Sequence, residues 1–359
     1  MSLLESLIIV SEKAANISRL CRQEEKLFEL LVQEKSESEA NPRFVRDFKT
    51  LADVLIQETV KYDIGKKFPK IKDDIRGEEN NTFENALGEK VSVQISENPE
   101  ETKLMLQKVL DGNIEAAEML TNEVYAEIAL KEINTIFPKE NISFDCSTLG
   151  IWIDPIDSTS EYITGKEERH ECGIYTKGLR CVTVLIGVYS KTTGIPVVGV
   201  INQPFHQNTN LRWSGRCLWG VATTRMNSFP PSINSTLTNV VCISSSEDEN
   251  IKKKLFKNNF STIEAAGAGY KLLVVILGLV DAYVLSKGTT FMWDTCGCQA
   301  ILMSLGGDIV QCCGNQSSIV YKNIESGDNK IEVCCHSNGI IAARNVEVLS
   351  KLKEILQSD

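Results

Sequence analysis

A chain of 359 residues, 42% of them hydrophobic and 24% charged, can bury a large core, and two domains are the natural division. Its formal net charge of -10 argues against a general nucleic-acid binder or a protein held to anionic membranes by charge. Any anionic substrate must then be held by local cations or metal ions. The twelve cysteines include the adjacent pairs Cys312-Cys313 and Cys334-Cys335 but show no CxxC or Cys/His zinc spacing, which points to reduced thiols in a cytoplasmic protein.

In chain order, Leu7, Val10, Ala14, Ile17, Cys21, Phe28 and Leu31 recur at three- and four-residue steps. They predict an opening helix with one inward face, ended by the charged segment Gln33 to Glu39. This start does not read as a signal peptide, because Glu5 interrupts it and a basic leading region is missing. A second helix is expected after Pro42, with Asp47, Thr50 and Asp53 on one side. Acids on a helix face usually mark solvated surface, but the surrounding Leu51, Val54, Leu55 and Ile56 favour a partly buried, functional Asp53. Ile75-Arg76-Gly77-Glu78-Glu79 reads as a strand end delivering two acids. Residues 80–147 read as an acidic, inserted helical region that helps choose the substrate, with apolar faces at Leu104, Leu106, Val109, Leu110 and at Ala116, Leu120, Val124, Ile128.

Trp152-Ile153-Asp154-Pro155-Ile156-Asp157-Ser158-Thr159 is the centre of the chain. Apolar residues lead into two carboxylates and two hydroxyls. Pro155 cannot donate a ladder hydrogen bond, so the strand should stop there and turn with both Asp side chains near one point. Asp157, Ser158 and Thr159 suit a helix opening, where side chains cap and free N–H groups face an anion such as phosphate. Such oxygen ligands suit Mg²⁺. Alone, the same residues would also make a plain turn followed by an N-cap.

Arg180 to Tyr189, Ile195 to Ile201 and Trp213 to Val221 read as strands, the first two joined by the hairpin signal Lys191-Thr192-Thr193-Gly194. Asn227 to Ser235 is a candidate linker. Two domains are therefore expected, residues 1–230 with helices on an antiparallel sheet and residues 231–359 with a mostly parallel α/β arrangement. In the second part, strands Val240–Ile243, Thr262–Ala265 and Ala282–Leu285 alternate with helices Glu249–Lys257 and Gly269–Leu279. The longest apolar run, Leu272 to Val280, is too short to span a bilayer and reads as buried helix. Trp293-Asp294-Thr295 opens a helix running to Leu305 and stopped by Gly306-Gly307, where Asp294 could serve only as a cap. A strand near Ile309, a β segment ending near Ala343 and a last helix from Val346 to Leu356 complete the chain.

Together, Asp53, Glu78-Glu79, Asp154-Pro155-Ile156-Asp157-Ser158-Thr159 and Trp293-Asp294-Thr295 with Gly306-Gly307 resemble the signature of the magnesium-dependent, lithium-sensitive phosphomonoesterases. That family includes the inositol monophosphatases, the inositol polyphosphate phosphatases and the 3′(2′),5′-bisphosphate nucleotidases. The landmarks occur in order over nearly the whole chain. The segments Ser11 to Asn16, Asp47 to Asp53, Gly178 to Tyr189 and Ala265 to Lys271 are similar to the branch that removes the 1-phosphate from inositol polyphosphates. Ser158 and Ser160 also differ from the Gly and Lys of the nucleotidases, whereas Glu161-Tyr162 is of nucleotidase type and Cys298 stands where a small Ala is usual.

The resemblance implies a layered α/β/α/β sugar-phosphatase fold and two or three Mg²⁺ ions, with inhibition by Li⁺. Glu78, Asp154 and the carbonyl of Ile156 would hold one ion and Asp154, Asp157 and Asp294 a second, with Glu79 a further metal ligand. Thr159, hydrogen-bonded to Asp53, would orient the attacking water, and Glu78 would share in catalysis. Asp157, Ser158, Thr159, Ala268 and Lys271 would contact substrate, although Lys271 also fits an ordinary surface lysine at a helix opening. Trp152 and Trp293 most simply pack beside the ligands, and His170, His206 and His336 carry no assigned role. The substrates implied are inositol 1,4-bisphosphate and inositol 1,3,4-trisphosphate, acted on by a cytoplasmic monomer with no nucleic-acid or membrane partner. A bisphosphate nucleotidase is the alternative within the class. A non-catalytic inositol-phosphate binder is the alternative outside it, disfavoured because Asp53 and Thr159 would serve water activation rather than binding.

Overall fold

The computed structural model describes residues 1–23, 32–35, 48–85, 87–140, 142–229, 238–325 and 330–357. The chain opens with α1 (Leu3–Gln23), β1 (Val32–Glu34), β2 (Phe48–Thr50), α2 (Leu51–Lys67), β3 (Ile75–Gly77), β4 (Thr82–Glu84) and β5 (Lys90–Ser92). Then follow α3 (Pro99–Val109), α4 (Ile114–Tyr125), β6 (Leu149–Asp157), α5 (Thr159–Thr164), β7 (Glu168–Arg169), β8 (Tyr175–Lys177), β9 (Thr183–Ser190), β10 (Pro196–Thr209), β11 (Arg212–Val221) and β12 (Met226–Asn227). The remainder is β13 (Val240–Ile243), α6 (Glu249–Lys257), β14 (Ser261–Glu264), α7 (Ala268–Ile276), β15 (Ala282–Leu285), α8 (Met292–Ser304), β16 (Asp308–Gln311), α9 (Lys330–Cys334), β17 (Ile340–Ala343) and α10 (Val346–Gln357).

Six strands in the order β12-β11-β10-β9-β6-β3 form the first sheet, antiparallel except where β3 pairs with β6. Helices α1 and α2 lie on one face of it, burying Leu7, Ile17, Val54 and Ile64 against inward strand residues such as Val184 and Val200. The opposite face receives α8 at very short range. A Cβ on Gly199 would lie 1.9 Å from the Gly297 carbonyl oxygen, so helix and strand touch backbone to backbone only because both positions are glycine. Beyond α7 and α8 lies the second sheet, ordered β14-β13-β15-β17-β16. Helices α6 and α10 cover its outer face around Leu255, Phe260 and Leu352. The arrangement is the layered α/β/α/β fold the sequence implied. Being covered by sheets on both sides, α7 is buried all round and apolar from Leu272 onwards, which explains the long run there.

Several expectations are corrected. The second sheet is mixed: β14-β13-β15 run parallel, but β17 is antiparallel to both β15 and β16. The strand through the central motif does not stop at Pro155 but continues to Asp157. Between residues 80 and 147 the described α-helices are only α3 and α4, beside the β4–β5 hairpin and short 3-10 turns. The second helix begins at Leu51, with Thr50 as its N-cap rather than inside it, because the Thr50 side chain and Asp53 satisfy each other's backbone N–H groups in a capping box. Gln33 lies in β1 rather than in a helix end; Phe28, Leu31, Pro42, Asp47 and most of the linker lie outside the described residues.

All twelve cysteines are free thiols. Among the described residues no helix is long and apolar enough to cross a membrane.

Behind α8, the buried His336 ring contacts Thr295 Oγ1 at 2.7 Å, and burial lowers its pKa from 6.5 to about 4. Below pH 6.5 the unfolded chain takes up this proton before the folded one does, so the stability that neutral His336 contributes above that pH is lost as pH falls towards 4. The loss is about 3 kcal/mol. His336→Gln is therefore expected to be clearly destabilised at pH 7 but to approach the parent protein near pH 4, measured by urea unfolding at both values.

Candidate active site

The site gathers carboxylates from both halves of the chain. Relative to β9, strand β6 carries one extra residue between Asp154, which faces Leu185, and Asp157, which faces Thr183. Residues three apart on a regular strand point to opposite faces; the bulge restores both Asp side chains to one side. Pro155, with no N–H for the ladder, is the sequence cause. Asp294 arrives in the first turn of α8, where it caps the helix by accepting from Phe291 N at 2.7 Å. Carboxylate oxygens of Asp154, Asp157 and Asp294 all lie within 4.8 Å of one another, and all three residues are buried.

These groups repel one another. Burial first, then Glu78, Asp157 and Asp294, push the Asp154 carboxyl well above its ordinary range. Burial followed by Asp157 and Glu78 does the same to Asp294. Asp157 is raised only to about 6, since its burial is offset by Lys271 and by hydrogen bonds from Thr183 and Gly269. The amides of Ala268 and Gly269 donate to its two oxygens at 3.2 and 3.0 Å, so the N-terminus of α7 holds Asp157. Gly267 makes this turn possible, with φ of 75° and its missing Cβ only 3.0 Å from an Asp157 oxygen. One oxygen of Asp154 is buried without a hydrogen-bond partner. Such an oxygen inside a carboxylate cluster fits a hard divalent cation, which would supply the missing partner and relieve the repulsion.

Glu78 and Glu79 follow β3 as expected. Glu78 N donates to the Ile153 carbonyl at 3.0 Å, tying this corner to β6. Gln57 of α2 clamps the Glu79 backbone from both sides, accepting from its N–H at 2.9 Å and donating to its carbonyl at 2.6 Å. Burial raises the Glu79 carboxyl although Lys35 opposes the shift. The Ile156 carbonyl points where Thr159 Oγ1 reaches it at 3.2 Å.

Asp53 is buried as expected, and burial with the Glu79 charge raises its carboxyl well above the ordinary range. Its hydrogen-bond partner differs from the expected Thr159. One Asp53 oxygen accepts from Thr50 N at 2.7 Å and Thr50 Oγ1 at 2.6 Å, while the other has no partner. Capping α2 orients the carboxylate and leaves the second oxygen open. Ser158 stands at the N-cap of α5 in the left-handed region, φ 73° and ψ 51°, without a side-chain cap bond, so the expected capping by its hydroxyl is also absent. Nor is Lys271 a surface lysine: it is buried, donates to the Ala265 carbonyl at 3.1 Å and lies 5.2 Å over the Tyr283 ring. Trp152 and Trp293 pack together beside the ligands, centroids 5.9 Å apart. Lys35, Gln57, Thr183 and Lys330 also belong to this site. Of these only Thr183 lies in a segment of the family resemblance, Gly178 to Tyr189; Lys35 lies in the charged segment Gln33 to Glu39, which reads only as a helix end.

A layered fold that closes a buried cluster of oxygen donors suits a hydrolase that works through bound metal ions. The sequence matches the inositol monophosphatase family over residues 3–357, and the chain belongs to that family. It is 42% identical over 387 residues to inositol polyphosphate 1-phosphatase of Homo sapiens, covering 99% of this chain and 96% of that protein. With 3′(2′),5′-bisphosphate nucleotidase 1 of Mus musculus it shares 26% over 352 residues, covering 97% and 92%. A LiCl-soaked staphylococcal inositol monophosphatase-1 has the same fold at 14% identity, with a TM-score of 0.55 and coverage of 100% and 97%.

Proposed function

We propose that this phosphatase removes the 1-phosphate from inositol 1,4-bisphosphate and inositol 1,3,4-trisphosphate, with a bisphosphorylated nucleotide the poorer substrate. The observation that carries the reading is 42% identity over nearly the full length to an enzyme named for that activity, against 26% to a nucleotidase. The division into residues 1–230 and 231–359, the cytoplasmic location and the monomeric state belong to the same proposal.

Glu78, Asp154 and the Ile156 carbonyl would hold one Mg²⁺ and Asp154, Asp157 and Asp294 another, with Glu79 beside them and a third ion compatible with that number of acids. When bound, such ions shield the ester's charge, lower the pKa of water and stabilise the leaving alkoxide. Phosphate monoesters need accelerations approaching ~10²¹-fold, far beyond the ~10² to 10⁴-fold of a single acid–base pair. The protein's own part is positional. Asp53 would accept a proton on the oxygen that Thr50 leaves unpartnered, its other oxygen being fixed by Thr50. Thr159 presents its hydroxyl on the first residue of α5, held by Ile156. Ser158, Ala268 and Lys271 line the substrate side in this reading, and Lys271 brings a cation towards Asp157 and Asp294.

Phosphate release from inositol 1,4-bisphosphate and adenosine 3′,5′-bisphosphate, assayed side by side, tests the reading. The expected result is Mg²⁺-dependent turnover preferring the inositol substrate by at least about tenfold in kcat/KM, a difference of roughly 1.4 kcal/mol in transition-state stabilisation. LiCl should inhibit it where matched NaCl does not. Equal or better use of the nucleotide would transfer the assignment to the nucleotidases; binding without release would favour the non-catalytic binder.

A further inference from the structure

Two lysines from distant parts of the chain converge on one corner of the carboxylate cluster. Lys35, just after β1, places Nζ 2.6 Å from Glu78 Oε1 and 2.8 Å from Glu79 Oε1. Lys330, the first residue of α9, donates to the backbone carbonyl of Glu78 and lies 5.2 Å over the Trp293 ring, next to Asp294. It therefore reaches from the second half of the chain across to the first. Glu78 and Glu79 face these two ammonium groups, while Lys271 lies on the far side by Asp157 and Asp294.

A fixed positive charge here acts in two opposed ways. It offsets the repulsion of Glu78 and Glu79 before any ion arrives, and in a poorly solvated site it disfavours a divalent cation at short range. Lys330 is suited to both, because its hydrogen bond to the Glu78 backbone uses a carbonyl rather than a carboxylate, and an ammonium carries three N–H donors. The Trp293 face supports the ammonium without neutralising it.

We propose that Lys330 is a second resident cation of the Glu78–Glu79 corner, beside the directly paired Lys35, limiting how tightly and how many divalent ions that corner accepts. The inference rests on the metal-dependent reading of the site.

Calorimetric Mg²⁺ titration of the full chain, Lys330→Met and Lys330→Arg tests it. Lys330→Met should bind its weakest Mg²⁺ on the order of tenfold more tightly, or take up one more ion, while Lys330→Arg stays near the parent. The melting temperature of metal-free Lys330→Met should fall below that of the parent, so that Mg²⁺ raises it by more. Unchanged affinity and ion count, or weaker binding, in Lys330→Met would overturn the proposal. If that variant does not fold, the Lys330 ammonium resonance of the unmutated protein, assigned with Lys330→Arg, should move at the weakest Mg²⁺ event; a resonance indifferent to Mg²⁺ overturns the proposal equally. A parent chain that binds no Mg²⁺ would overturn both this proposal and the reading of the site, whereas normal Mg²⁺ binding with an indifferent Lys330 overturns only the former.

Discussion

Asp154→Asn is expected to remove nearly all activity while making the metal-free protein more stable. The buried Asp154 carboxyl is raised by burial and by three neighbouring acids, so its ionised form is unfavourable without a cation. An unfolded-state Asp has no such penalty. For a carboxyl raised in the folded state, the destabilisation is absent below the unfolded pKa and fully present above the folded one. Metal-free parent protein should therefore become more stable as pH falls from neutrality through the raised pKa values of this cluster, and the variant should lose part of that dependence. Asn keeps the size and removes the charge. At neutral pH without metal its melting temperature should rise by a few degrees, which corresponds to roughly 1 kcal/mol in a chain of this size. With Mg²⁺ present the order should reverse, because the variant lacks the group proposed to serve two ions. Groups that merely support a ligand typically cost ~10 to 100-fold, so kcat/KM should fall by more than that. Differential scanning fluorimetry with and without Mg²⁺, beside phosphate-release kinetics, reads both effects. A variant destabilised without metal to the same degree as with it would mean that Asp154 is held by the protein rather than by ions.

The acids of this site were legible because each sits beside a local signal. Glu78 and Glu79 follow a short strand ending in Gly77, Asp294 follows an aromatic helix start, and Asp154 and Asp157 flank a proline. Their convergence was legible only as a family pattern. The reason is physical: what aims Asp157 is a pair of amides more than a hundred residues downstream, and what holds Glu79 is Gln57 on another element. Pro155 reads as a strand terminator, yet pairing with β9 resumes at Asp157 and the proline is absorbed by a bulge instead. Strand direction in the second sheet was similarly hidden. Alternating helices and strands usually yield parallel pairs, but the chain between α8 and α10 returns through β16 and β17 in opposite senses. Lys271 shows the limit of local reading most clearly. A lysine at a helix opening is ordinarily solvated, and only the two covering sheets reveal it as buried over Tyr283.

Asp53→Asn is expected to lower kcat by about 10² to 10⁴-fold while leaving Mg²⁺ affinity within a few-fold of the parent, because proton transfer rather than ligation is its assigned task. The variant keeps an oxygen for the Thr50 cap, so α2 should remain intact, and any loss of stability should stay below the ~1 kcal/mol typical of a lost N-cap. Thr159→Val should also impair turnover, since it removes the hydroxyl but keeps the shape. The two residues are not hydrogen-bonded to each other here: the Thr159 hydroxyl donates a hydrogen bond to the Ile156 carbonyl, and one buried Asp53 oxygen has no partner. If a water bridges them at turnover, the double variant should be little worse than the poorer single one, because either change breaks the same proton path. Independent roles would instead multiply the two losses. Single-turnover kinetics at saturating Mg²⁺ separate these cases, with calorimetry confirming that both variants still bind the ion. Near-parental turnover in both single variants would remove Asp53 and Thr159 from the mechanism, and a strictly multiplicative double variant would leave them in it as two unconnected groups.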